Sequence, residues 1–158
     1  MTKKLINLKR ESSLEVSNSW INPLEDGIIT STCGTRINPI LNKEELHNGI
    51  DIAAPEGTEI FAVKNGVVTD VYTSNTYGNC VKYKTDDGYE IMYAHLQKAL
   101  VKKGQKIKAG EKVALVGSTG LSTGPHLHYT IEKEGNLIDP IDFVSFPYSQ
   151  EVKNELNF

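Results

Sequence analysis

The division of the chain into many short strand-like runs is what most limits its fold. From Trp20 to about Phe146, glycine and Asn/Asp punctuation separates runs rich in Val, Ile, Thr and Tyr. Residues 28–32, 59–63, 66–72, 79–84, 90–95, 112–117 and 126–132 are the best strand candidates. Asp86-Asp87-Gly88, between two of them, is a strong hairpin signal. No long segment keeps a helical period; the helical candidates are a turn after Pro140 and the tail over residues 151–156. The expected fold is therefore all-β and mainly antiparallel, a compact sandwich or open barrel with a loop-lined groove and little helix. Tyr77-Gly78-Asn79 and residues 117–124 are the most loop-like internal stretches, the kind that wall a cleft. Residues 1–19 read as a flexible arm or linker, 20–146 as the domain and 147–158 as a C-terminal tail.

Size and charge narrow the function. A chain of 158 residues has room for one domain with its own core. Its net charge of −3, with scattered basic residues, argues against nucleic-acid binding by phosphate neutralisation. Cys33 and Cys80 are too far apart for a C-x-x-C pair; they are read as one disulfide or as two unpaired small core residues. No run approaches the roughly 18 apolar residues of a membrane span. The opening residues start charged but lack an apolar stretch, so they do not read as an export signal.

All four histidines fall in segments that look chemical: His47-Asn-Gly-Ile-Asp51, Tyr93-Ala-His95-Leu96 and Pro125-His126-Leu127-His128. On a strand, His126 and His128 point to one face while Leu127 faces the other. Gly49 and the following Ile50-Asp51-Ile52 favour a loop entering a strand, so that His47 can fold back toward Asp51. Taken singly, an H-x-H reads as an exposed strand face and an H-x-x-x-D as a surface ion pair. Together, two imidazoles and one carboxylate form a ligand set known for catalytic zinc, with a fourth position open. Bound zinc would bring the pKa of water to about 7 and polarise a carbonyl. No H-E-x-x-H helix supplies a glutamate base, so His95 and His126 are the candidates for moving protons. Which of them does what stays open.

At this point the chain resembles the LytM/lysostaphin-type zinc metallopeptidases, the peptidoglycan endopeptidase family. The likeness runs from about Pro23 to Phe143 through Gly34-Thr-Arg36 with Pro39, His47-x-Gly49-x-Asp51, Ala54-Pro55-x-Gly57-Thr58, Gly66-x-Val68 and Tyr93-x-His95-Leu96. It continues through Gly104 and Gly110, Gly117-x-x-Gly120 and Gly124-Pro125-His126-Leu127-His128-Tyr129. The resemblance implies one zinc ion held by His47, Asp51 and His128, catalysis by His95 and His126, and a groove in a compact antiparallel β-fold. It places Arg36 and Tyr93 near that groove in a supporting role. One departure is Cys33, where this family usually has an aromatic residue.

The resulting expectation is a monomeric zinc metalloendopeptidase that hydrolyses amide bonds in peptidoglycan cross-bridge or stem peptides, outside the membrane in a bacterial wall or envelope. The alternative from another class is a non-catalytic module of the same fold that binds zinc or a protein partner of the envelope. Gly120-Leu-Ser122-Thr-Gly124 matches the G-x-S-x-G of serine hydrolases, but a strand follows where that motif needs a helix. A biotinyl or lipoyl carrier domain is also disfavoured, since no lysine sits at a convincing hairpin tip.

Overall fold

A computed structural model describes residues 20–38 and 43–156. The arm expected over residues 1–19 lies outside them, as do Pro39 and the side chain of Arg36. The described residues form strands β1 (Ile28–Ser31), β2 (Gly34–Asn38), β3 (Lys43–His47), β4 (Ile50–Ala53), β5 (Glu59–Phe61) and β6 (Gly66–Ser74). They continue with β7 (Gly78–Thr85), β8 (Tyr89–Ala99), β9 (Lys106–Ile107), β10 (Lys112–Val116), β11 (His126–Lys133) and β12 (Asn136–Ile138). A 3-10 turn at Pro140–Phe143 and one short helix, α1 (Gln150–Glu155), complete the chain. The main sheet runs β1-β4-β11-β8-β7-β6-β9, with β10 joining β8 to β5 and β12 extending β11. It does not close into a barrel. β2 and β3 form a separate ribbon.

Each expected strand is present with its ends shifted by a residue or a few. β4 is the strand expected to follow the His47 segment, and β2, β3, β9 and β12 are additions. Lys43-Glu-Glu-Leu-His47 carries no β-type alternation, and among the described strands it pairs with β2 alone. His47 therefore ends a strand rather than lying in a loop. Both helical candidates form, each started by a side-chain cap: Asp139 accepts from the Ile141 amide and Ser149 from the Val152 amide. The Asp86-Asp87-Gly88 turn joins β7 to β8.

The sheet has two faces of different character. Along β11, Leu127, Tyr129 and Ile131 are fully buried in the main core, with Ile91 and Tyr93 of β8 and Ile50 and Ile52 of β4. Burying each such side chain contributes about 1.5–3 kcal/mol, so this face fixes the register. The alternate residues of β11, His126, His128 and Thr130, lie on the opposite face. There a small second cluster of Cys80, Met92 and Ala94 is covered by Tyr72 and Tyr77. Cys33 and Cys80 are both free thiols, so the disulfide reading is not what the fold adopts. Burial, with the nearby Asp139 charge, pushes the Cys33 thiol up to about 11.

Candidate metal centre

Strand register does most of the assembly. His128 on β11 and Asp51 on β4 are direct cross-strand partners, and His128 Nδ1 lies 2.8 Å from Asp51 Oδ1. His47, at the end of β3, brings Nε2 to 3.5 Å from Asp51 Oδ2. The bend between β3 and β4 depends on Gly49: a Cβ there would run into the Tyr129 carbonyl oxygen and lie 2.8 Å from Thr130 Cγ2. The three donor atoms all lie within 4.8 Å of one another.

The proton inventory of these rings shows what the cluster needs. His47 Nδ1 is 2.9 Å from the Thr32 carbonyl, which can only accept. The proton therefore sits on Nδ1, and Nε2 presents a bare lone pair to Asp51. His128 Nε2 is 2.9 Å from Asn48 Oδ1, an amide oxygen that also only accepts, so the Nδ1 lone pair faces Asp51. Among the described contacts, two ring nitrogens and a carboxylate thus converge with no donor between them while each ring carries a single proton. A cation fills the same role. The 2.8 and 3.5 Å separations bracket the edge of about 3.3 Å that tetrahedral zinc with bonds of about 2.0–2.1 Å requires. Burial works against the Asp51 charge, but when His128 and His47 carry a second proton their hydrogen bonds and Coulomb attraction outweigh it and hold the carboxyl well below the usual range.

His95 and His126 flank the cluster. Their ring centroids are 4.8 Å apart, and His95 is 6.0 Å from His128. His126 Nδ1 donates to the Gly124 carbonyl at 2.8 Å, which aims Nε2 at Asp51 Oδ1, 3.8 Å away. His95 Nδ1 donates to the Thr119 carbonyl at 2.7 Å, leaving its Nε2 bare. Desolvation lowers the His95 pKa against the Thr119 hydrogen bond, with help from the neighbouring His126 and His128, so its neutral form is favoured.

His95 reaches this face through a bulge. Between Tyr93 and Leu96, β8 spends three residue steps where β7 spends two, from Val81 to Asn79. His95 takes a positive φ of 61° there. Regular alternation would put His95 on the core side with Ile91 and Tyr93; the bulge turns it outward and returns Leu96 to the core. Tyr93 itself is corrected by the structure. It is fully buried, with its hydroxyl on the Phe61 carbonyl and 2.8 Å from the Tyr83 hydroxyl, and takes no part in the groove.

Ser122, the residue of the G-x-S-x-G match, donates to the Gly124 carbonyl at 2.8 Å and leads into β11 rather than a helix. Sequence reasoning misses Asn48, the Tyr77 ring and the Thr119 carbonyl. The Tyr77-Gly78-Asn79 stretch signals only a loop, and a backbone oxygen leaves no mark in sequence.

Fold and donor geometry together point to a family of β-rich proteins. The sequence profile of Peptidase family M23 matches residues 45–140, and the chain belongs to that family. It is 43% identical over 121 residues to the DD-carboxypeptidase/endopeptidase Mpg of Neisseria meningitidis serogroup B, covering 77% of this chain and 28% of that protein. It is 39% identical over 104 residues to the peptidoglycan DD-endopeptidase ShyA of Vibrio cholerae serotype O1, covering 66% of this chain and 24% of that protein. The chain thus spans roughly a quarter of the length of these relatives. Among solved structures, the catalytic domain of the antimicrobial peptidase lysostaphin from Staphylococcus simulans superposes with a TM-score of 0.64 at 32% identity, over 71% of this chain and 87% of that one. A zinc-containing peptidase from Vibrio cholerae gives 0.66 at 32% identity, over 76% and 39%.

Proposed function

We propose that this domain is a zinc-dependent endopeptidase that hydrolyses amide bonds in the cross-bridge or stem peptides of peptidoglycan. The observation that carries the reading is the convergence of two imidazole nitrogens on one carboxylate. His47 Nε2, Asp51 and His128 Nδ1 would hold the metal. When bound, zinc supplies Lewis-acid activation of water and of the scissile carbonyl.

The chain's own residues do the rest. The rings of His95 and His126, 4.8 Å apart, each keep Nε2 clear of the carbonyl that holds Nδ1, so either can accept a proton, and the protonated ring can donate to the leaving amine or to a developing oxyanion. Their Nδ1 protons, held on the carbonyls of Thr119 and Gly124, fix the tautomer this task needs. The names of Mpg, ShyA and lysostaphin support a wall peptide as substrate. Such a substrate lies outside the membrane, which makes the site of action extracytoplasmic. No described helix is long and apolar enough to cross a membrane.

The test is release of new amino termini from purified peptidoglycan. Thorough chelation should abolish release and added zinc should restore it. His95→Ala and His126→Ala should each cost about 10²–10⁴-fold in rate while zinc stays bound. Wild-type protein that releases no more than these variants would overturn the reading.

A further inference from the structure

Asn48 lies between the donor His47 and Gly49, and its side chain meets His128. Its Oδ1 is 2.9 Å from His128 Nε2, while its Nδ2 donates to the Tyr77 hydroxyl at 3.2 Å. In this arrangement Nδ2 donates to the hydroxyl and Oδ1 is turned to the ring, where an amide oxygen can only accept an N–H. The Tyr77 ring in turn lies nearly parallel to the His128 ring, at 5.6 Å and 19°. His128 is thus gripped on an edge by Asn48 and over a face by Tyr77, and Tyr77 is tied to Asn48.

We infer that Asn48 and Tyr77 are positioning residues that hold His128 with its proton on Nε2 and its Nδ1 lone pair toward Asp51, and so set the metal affinity of the site. The inference rests on the metal-binding reading above. An imidazole with a free choice of tautomer spends part of its time with the proton on Nδ1, where it blocks the metal. An acceptor at Nε2 removes that choice and also raises the basicity of Nδ1. His47 receives the same service from the Thr32 carbonyl, a backbone group that mutation cannot delete. His128 depends on a side chain, so its contribution to affinity is open to change by substitution at position 48.

Zinc alone is the probe, titrated into metal-free protein against a chromophoric chelator. Asn48→Leu keeps the shape but cannot accept a proton, and should bind zinc about 10–100-fold more weakly than wild type. Asn48→Asp keeps an acceptor at the same place and should recover most of that loss. Tyr77→Phe keeps the ring over His128 but frees the amide, and should weaken binding by about 10-fold or less. In alkaline buffer, nitrogen NMR of the metal-free wild type should show the His128 proton on Nε2, and Asn48→Leu should show a mixture of both tautomers. Unchanged zinc affinity and an unchanged tautomer in a folded Asn48→Leu protein would overturn the inference while leaving the metal site intact. Failure of the wild type to bind zinc would instead overturn the metal-binding reading itself.

Discussion

The two corners of the candidate site are built by opposite means. The donor corner is made of regular ladder: Asp51 and His128 are cross-strand partners on β4 and β11, and His47 pairs with Gly34 across the β2–β3 ribbon. The His95 corner is made of irregular backbone. His95 sits on a bulge at φ 61°, its amide donates to the Tyr77 carbonyl at 2.7 Å, and its ring is held by the Thr119 carbonyl. Thr119 is itself pinned, donating to the Leu96 carbonyl at 2.7 Å and accepting from the Asn79 amide at 3.1 Å. Asp51 and His128 thus take their places from the same register that the hydrophobic core enforces, and His47 takes its place from the β2–β3 ribbon. The candidate proton-moving histidine is placed by local strain that the surrounding loops must hold.

That contrast can be broken by separating metal binding from turnover. Asp51→Asn strikes the donor corner and should weaken zinc by at least about 100-fold, beyond the 10–100-fold that outer partners cost. Gly78→Ala strikes the other corner: Gly78 has φ 65°, and a Cβ there would run into Thr119. It should cost about 10²-fold or more in peptidoglycan hydrolysis, the loss expected on displacing a general acid or base, with zinc affinity within a few-fold of wild type. Zinc titration and amino-terminus release, run on both variants, check the pair. Equal loss of zinc in Gly78→Ala would mean that the two corners are one mechanical unit.

A finer test asks whether the strain at position 95 is real. A non-glycine residue in the left-handed region costs about 1–2 kcal/mol, whereas glycine in a strand is ordinarily worse than alanine by about 0.5–1 kcal/mol. In chemical denaturation His95→Gly should therefore be more stable than His95→Ala by about 1 kcal/mol, with both variants slowed in hydrolysis. The usual order, alanine above glycine, would remove strain from the account of this corner.

The smallest expected effect lies beneath the donor corner. Tyr129 is fully buried next to His128 in sequence, and its hydroxyl has no hydrogen-bond partner among the described residues. Its neighbour Tyr93, 5.6 Å away between ring centroids, has two. Tyr129→Phe should leave stability unchanged or raise it by about 1 kcal/mol, while Tyr93→Phe should cost about 1–2 kcal/mol by stranding its partners. Chemical denaturation of the two variants decides it. A clear loss from Tyr129→Phe would show that the hydroxyl has a partner after all.

Much of the fold and of the site is legible in the residues alone. Gly/Asn/Asp punctuation between β-rich runs marks an antiparallel all-β domain. The spacing of His126 and His128 puts both rings on one face, with Leu127 in the core, because side-chain direction on a strand alternates by geometry alone. β2 and β3 are not legible, since their sequences carry no pattern and their pairing is satisfied only by each other.

By itself, then, the sequence determined the strand-rich architecture, the ligand-type residues and the shared face of the H-x-H pair, all consequences of local periodicity and side-chain chemistry. Tertiary structure decided the rest. Alternation along β8 assigns His95 to the core beside Tyr93, and only the extra residue opposite β7 turns it outward to meet His126. Likewise only the packing of the β3–β4 bend against β11 brings Asn48 to His128, 80 residues away. A bulge and a long-range contact both depend on what lies across the sheet, and no window of neighbouring residues contains that information.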